Sequence, residues 1–440
     1  MPALRLVRPD QADYRAAIST LKNALRGGEL TSEAATQHSV ADVVRGIIDQ
    51  VSKGGDAAAA RLTSELDRAR VTPETLRVAP ELLERAHREA DPDLLALIRR
   101  AAANVQAYQE HILWKSPEAL ERDGRRLGVR YTPLRRVGVY VPGGRALYPS
   151  TVVMTVVPAR VAGVKEIVMF SPPTGGEIAP LALALAWELG VREVYRLGGA
   201  VGLAAAAHGT ETIAPVDKIV GPGNAYVAEA KRQLFGRVGI DSIAGPSEVL
   251  IVADDSANPV WVAADLIAQA EHDPGSAILV TPSLGLAERV LSEVEQQLAA
   301  LERGDAARRS LERYGAAIVC RDLEQACALA NEFATEHLQI ITRSDDECLA
   351  RIESAGAIFV GAHTPVPLGD YYAGPSHVLP TGGTARFSAP LSCNDFLKVS
   401  SLIRYTARDL AADAADVSTF ARREGLTAHA RAVELRQGKG

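Results

Sequence analysis

With 440 residues, the chain is longer than one hydrophobic core ordinarily serves, so two or more domains are expected. Apolar residues make up 47 % and charged residues 23 %, the balance of a soluble globular protein, and a net charge of -6 argues against nucleic acid as the main partner. The opening Met1-Pro2-Ala3-Leu4-Arg5-Leu6-Val7-Arg8 holds no signal-type apolar core, and the longest apolar run, around 180–186, is too short for a membrane span and is ended by Glu188. Cys320, Cys327, Cys348 and Cys393 show neither CxxC spacing nor disulfide density, which predicts a reducing, cytoplasmic setting.

Residues 10–115 are expected to be mostly helical. Apolar positions recur at helical spacing through Ala41-Asp42-Val43-Val44-Arg45-Gly46-Ile47-Ile48-Asp49-Gln50-Val51 and again through 94–108. From Arg136 onward, short β-branched runs alternate with alanine-rich helical segments, the pattern of an α/β fold with a largely parallel sheet. Strands are predicted at 137–141, 166–170, 193–197 and 218–220. After Ser247 a second series follows at 249–252, 277–281, 316–320, 338–341 and 357–360, with helices such as 259–270 and 285–301 between. The unbroken apolar runs fit strands buried on both faces. The tail, 407–436, returns to helix with a break at Gly425. Two similar α/β units in series are expected, although no residue-level repeat proves a duplication.

Three glycine turns close predicted strands: Val141-Pro142-Gly143-Gly144, Gly198-Gly199-Ala200-Val201-Gly202 and Gly221-Pro222-Gly223-Asn224. Such turns bring backbone amides to a phosphate at a helix N-terminus, yet none has G-x-G-x-x-G spacing and each alone is explained by a tight strand-to-helix turn. Three at the ends of neighbouring strands point toward a nucleotide cleft. Five of the nine histidines lie after residue 270, among them those in Gln269-Ala270-Glu271-His272-Asp273-Pro274 and Thr335-Glu336-His337-Leu338. Gln269 and His272 share a helix face and suit one metal, although a histidine at a helix C-terminus is also an ordinary dipole partner. Glu336 and His337 sit at a strand end, where a carboxylate can activate water and an imidazole can carry a proton; a helix-ending carboxylate beside a capping histidine explains them equally well. Asp370 and His377 fall in a proline- and glycine-rich loop whose rigidity is costly unless its geometry is used, although a structured surface loop with a satisfied His377 also explains them. His363, Cys320, Cys327 and Cys348 have no partner at a recognisable spacing.

Taken together, Val139-Tyr140-Val141-Pro142-Gly143-Gly144, Gly221-Pro222-Gly223-Asn224, Ala244-Gly245-Pro246-Ser247-Glu248-Val249, Gln269-Ala270-Glu271-His272, Thr335-Glu336-His337-Leu338, His377-Val378-Leu379-Pro380-Thr381 and Gly425-Leu426-Thr427-Ala428-His429 resemble histidinol dehydrogenase, in the family's order and from about Tyr131 to Arg436. The resemblance implies a homodimeric, zinc-dependent oxidoreductase that converts L-histidinol to L-histidine through L-histidinaldehyde with two NAD+ and water. Gln269, His272, Asp370 and His429 match the zinc ligands, the last supplied in the family by the partner subunit. Ser247, His377 and Glu424 match substrate contacts, as do the zinc-ligand positions and His337; Tyr140 and Asn224 match NAD+ contacts, and Glu336 and His337 match the catalytic pair. One zinc per subunit would orient substrate, and the pair would carry protons.

The expected fold is two incomplete, duplicated Rossmann-like α/β domains with small helical N- and C-terminal extensions. The expected division is an arm over 1–30, a metal-bearing and catalytic domain of 31–138 with 248–388, an NAD+ domain over 139–247, and a C-terminal helical domain, 389–440, reaching the partner subunit. Two positions depart from the family: Val201 replaces the usual glutamine and predicts weaker NAD+ binding, and Ser376 replaces a common asparagine. Three alternatives stay open: a paralogue oxidising another small alcohol, a metal-dependent hydrolase, and a two-lobed binding protein without catalysis.

Overall fold

A computed structural model describes residues 3–26, 37–143, 149–272, 274–302 and 304–438, leaving out the side chains of 37–39. Gly144 and Asp273 of the motifs, and parts of the predicted arm, lie outside the described residues. A three-residue strand, β1 (Arg5–Val7), precedes helices α1 (Tyr14–Arg26), α2 (Gln37–Leu66), α3 (Pro80–Glu89) and α4 (Pro92–Ile112). The hairpin β2 (Leu120–Arg122) and β3 (Arg125–Pro133) follows.

A first α/β run gives β4 (Arg136–Tyr140), α5 (Pro149–Val161), β5 (Glu166–Ser171), α6 (Pro180–Glu188), β6 (Glu193–Arg196), α7 (Gly199–His208), β7 (Lys218–Val220), α8 (Ala225–Leu234) and β8 (Gly239–Ile240). A second gives β9 (Ser247–Ala253), α9 (Pro259–Ala270), β10 (Gly275–Thr281), α10 (Leu284–Ala300), α11 (Gly304–Tyr314), β11 (Ala316–Val319), α12 (Leu323–Phe333), β12 (His337–Ile341), α13 (Asp345–Leu349), β13 (Ala357–Val360) and α14 (Val366–Tyr371). The chain closes with β14 (Leu397–Arg404), α15 (Ala407–Arg423) and α16 (Thr427–Leu435).

The first run forms a five-stranded parallel sheet, β6-β5-β4-β7-β8, and the second a six-stranded parallel sheet, β1-β11-β10-β9-β12-β13. Counted from β4 and from β9, both sheets wind outward from a central strand in the same doubly wound order, so the expected pair of Rossmann-like units is present in topology. Alternate residues of each strand feed opposite cores. In the six-stranded sheet Val249, Ile251 and Leu279 pack under α9, α10 and α11, while Leu250, Val252 and Ile340 pack under α1 and α12. Burial on both faces is what made these strands visible as continuous apolar runs.

Three expectations need correction. The N-terminal stretch is more than an arm, because β1 is the edge strand of the six-stranded sheet, in register with Ala316–Ile318 of β11. Helices α2, α3 and α4 do not belong with 248–388: Val44 and Val51 join the core of Phe170 and Leu203, while Leu83, Leu95 and Val105 join that of Val139 and Val156, so these helices cover the two faces of the five-stranded sheet. The C-terminal region is not all helix, since β14 pairs antiparallel with β3 along its whole length in a small sheet β14-β3-β2. Among the described residues no helix is long and apolar enough to cross a membrane.

Candidate active site

Parallel pairing sets His337 against Val249, which brings Glu336 beside Glu248 at the amino edge of the six-stranded sheet. Helix α12 ends at Ala334 in the left-handed region, φ 51°, and turns the chain sharply into Thr335-Glu336-His337. The turn is held on both sides. The Glu336 carbonyl accepts from the Ala357 amide at 2.8 Å, and a Cβ on Gly356 would stand 2.5 Å from that carbonyl oxygen, so only glycine fits there.

Glu336 Oε2 accepts the Glu248 backbone N–H at 2.9 Å, and the Ser247 hydroxyl also bonds its carboxylate. His337 Nδ1 lies 3.1 Å from the Glu248 carbonyl oxygen. A carbonyl can only accept, so Nδ1 carries the hydrogen, and in the neutral ring Nε2 holds the lone pair. That Nε2 is buried, makes no hydrogen bond, and lies 3.5 Å from Asp370 Oδ1. His377 donates through Nδ1 to the Asp370 carbonyl at 3.1 Å.

Two carboxylates flank one imidazole. Burial opposes charge on His337, but the carboxylates of Glu336 and Asp370 outweigh it and push its pKa up to about 9. Burial lifts Glu336 above the usual carboxylate range in spite of His337 beside it. Asp370 is also disfavoured by burial, yet the His337 ring, followed by His377 and His272, holds it below its ordinary value. For His377 burial prevails over Asp370 and the pKa falls. A cavity of 580 Å³, walled by Tyr108, Phe359, Leu368 and Leu391, opens on Asp370 and His377.

The remaining predicted ligands divide. Gln269, in the last turn of α9 and at the same sheet edge, is buried with its amide nitrogen unpartnered. His272, just past that helix, is exposed but close enough for its charge to act on Asp370. Glu424, at the end of α15, and His429, in α16, are exposed and make no side-chain hydrogen bond or ion pair with the cluster. Among the described residues, no three of His, Cys, Asp and Glu converge as a metal centre.

The glycine turns lie elsewhere, at the carboxyl edge of the five-stranded sheet. Tyr140 is buried, and its hydroxyl accepts the Gly199 amide at 3.2 Å at the start of α7; burial pushes its pKa up to about 12, so it stays neutral. Asn224 spends its oxygen on capping α8, accepting from Tyr226 and Val227 at 3.1 Å each, and leaves its amide nitrogen outward. Gly221 has φ +120°, and a Cβ there would lie 2.1 Å from the Tyr140 carbonyl oxygen. This turn rests on a pair that sequence reasoning missed. The buried Lys231 ammonium donates to the Gly221 carbonyl at 2.6 Å and to Asp241, and Asp241 accepts the Gly221 amide at 2.7 Å. Val201 packs in the core with Tyr140 and Leu203. Glu248, which joins Glu336 to His337, was also missed as a functional residue; its place in the Ala244–Val249 motif was the only signal.

Glycine turns closing the strands of one sheet and a buried imidazole–carboxylate pair at the edge of the other fit a two-domain α/β enzyme of the dehydrogenase class. The family model for histidinol dehydrogenase matches residues 30–437. A histidinol dehydrogenase of Rhodopirellula baltica is 51 % identical over 413 residues, covering 93 % of this chain and 90 % of that protein. One of Geobacillus kaustophilus is 49 % identical over 424 residues, covering 94 % and 99 %. The crystal structure of histidinol dehydrogenase from Elizabethkingia anophelis superposes with a TM-score of 0.91 at 31 % identity, covering 100 % of this chain and 99 % of that one. The chain belongs to the histidinol dehydrogenase family.

Proposed function

We propose that this protein oxidises L-histidinol to L-histidine by way of L-histidinaldehyde, using two NAD+ and water, as the final steps of histidine biosynthesis. The observation that carries the reading is the buried, unpartnered Nε2 of His337, left free to take a proton because Nδ1 is held by the Glu248 carbonyl. In each oxidation His337 receives the proton of a hydroxyl at Nε2 as hydride leaves carbon. NAD+, when bound, accepts that hydride. Between the two oxidations Glu336 takes a proton from water as its oxygen adds to the aldehyde carbon, and His337 gives its proton to the aldehyde oxygen, which completes the hydrate and frees Nε2 for the second oxidation. A raised carboxyl pKa makes Glu336 a stronger base than an exposed glutamate once it is ionised.

The residues fit a zinc ion. Gln269, buried at the sheet edge, would offer its amide oxygen, Asp370 its carboxylate and His272, whose charge acts on Asp370, its imidazole, so two oxygens and one nitrogen would come from one chain. His429 of the partner subunit would complete the set. Zinc supplies a fixed attachment for the imidazole and amine of histidinol. Were Asp370 to ligate the ion, its charge 3.5 Å from His337 Nε2 would be shared with the metal and would favour the imidazolium less.

A homodimer with shared sites is supported by the exposed C-terminal face. Glu424 and His429 stand outward there, near a sheet and helix that expose Ile403 at 73 %, Phe420 at 69 % and Leu426 at 44 %. Four buried, unpaired cysteines suit the cytoplasm.

The test is the number of NADH formed per L-histidinol consumed, before and after chelation. Two NADH, lost on chelation and restored by Zn2+, is the expected result. No NADH from histidinol overturns the proposal and favours another alcohol as substrate.

A further inference from the structure

We infer that Glu248 is a positioning residue for the proton-transfer pair, coupling it to the substrate-binding loop through its own two hydrogen-bonded ends. Its backbone N–H holds Glu336 Oε2 at 2.9 Å and its carbonyl holds His337 Nδ1 at 3.1 Å, so one residue orients both reacting side chains. Its side chain leaves the plane of the sheet, on the face of Leu250 and Val252 by the alternation of β9. There Oε1 accepts the Gly382 amide at 2.8 Å, five residues beyond His377, while the neighbouring Thr381 hydroxyl accepts the Gly245 amide. The strand that orients the pair and the loop that carries His377 are thus fastened at adjacent points.

The side chain is 1 % exposed, and Oε2 is buried without a partner. Burial first, then the charge of Glu336, lifts its pKa to about 8, so the acid form is the resting form. A neutral carboxyl between Glu336 and the loop adds no third negative charge to His337. This requires an uncharged acceptor at Gly382 and nothing from the reacting atoms.

The inference rests on Glu336 and His337 being the reacting pair, so the variants Glu336→Gln and His337→Asn are measured alongside. Two variants of the full-length zinc-loaded enzyme test it: Glu248→Gln and Glu248→Leu. Glutamine keeps a neutral acceptor for Gly382, and leucine keeps bulk and burial without one. Activity is counted per folded, zinc-containing site. Leucine is expected to lower kcat about tenfold to a hundredfold with KM for NAD+ unchanged, and glutamine to restore most of that loss. Unequal loss is informative: wild-type kcat in the leucine variant, or glutamine as poor as leucine, overturns the inference. Full turnover in Glu336→Gln and His337→Asn would instead overturn the reading of the pair.

Discussion

The two sheets share one strand order but present opposite edges. In the five-stranded sheet the turns after β4, β6 and β7 lie at the carboxyl edge, where α7 and α8 begin. In the six-stranded sheet Ser247, Gln269, Glu336 and His337 lie at the amino edge, where α9 and α12 end. Helix N-termini carry partial positive charge and unpaired amides, which suit a pyrophosphate; helix C-termini carry partial negative charge and suit a metal cation or an imidazolium. On the proposed site, the usual rule that ligands sit beyond the carboxyl ends of parallel strands would describe one unit only. Two copies of one topology, used from opposite ends, would then give poles of opposite sign for the two halves of the proposed reaction.

The sharpest break in this comparison is chemical. Glu336→Gln and His337→Asn should each lower kcat by about 10²–10⁴-fold, while calorimetric binding of NAD+ at the other edge stays at its wild-type value. Equal loss of NAD+ affinity would show that the edges are not separate.

Next in size is the support of the nucleotide edge. Lys231→Met leaves Asp241 buried without its partner and should cost about 3–5 kcal/mol in denaturant unfolding, with a raised KM for NAD+ from the loosened Gly221 turn. Adding Asp241→Leu removes the stranded charge and should recover most of the stability but not the turn. A double variant no more stable than the single one would count against the pair as the source.

Val201→Gln is a smaller probe of the same edge. Restoring the amide is expected to lower the NAD+ KM by a factor worth about 0.5–1.5 kcal/mol. Because Val201 sits in the core beside Tyr140, a lower melting temperature with an unchanged KM would assign the position to packing alone.

The smallest effect serves as a control away from both edges. Glu188 accepts from Arg99 and His87, and the Arg99 hydrogen bonds lead in holding its pKa down to about 2. A depressed carboxylate pKa means stability that is full above the ordinary value near 4.5 and lost as pH falls toward 2. Glu188→Gln should cost about 1 kcal/mol at pH 7, with the difference from wild type vanishing in acid and turnover unaffected.

Legibility from sequence followed burial. Strands such as β9 and β10, covered on both faces, stood out as apolar runs, and α9 was placed to the residue. The strands β3 and β14 were missed because their sheet leaves most of β14 in solvent and carries arginine and serine among its apolar positions, so neither an apolar run nor a clean alternation forms. β1 is three residues long and acquires its meaning only by pairing with a strand far along the chain. At the candidate site, the proposed pair Glu336-His337 was visible because its two residues are consecutive in the chain. The roles of Glu248, Lys231 and Asp241 depend on which carboxylate is buried and on which strand lies beside it, and neither fact is local.

That pairing of β1 has a cost in time. Val7 must find Ile318, roughly three hundred residues later, whereas the five-stranded sheet and its covering helices are complete by Ile240. At ordinary ribosomal rates of about 5–20 residues per second, the N-terminal strand waits roughly 15 to 60 seconds for its partner. During that interval Leu4 and Val7, destined for full burial, stay without their core. The strands and helices of the five-stranded unit are therefore synthesised first, its core is completed only when Val378, Leu391 and Phe396 arrive, and the six-stranded sheet closes late in synthesis.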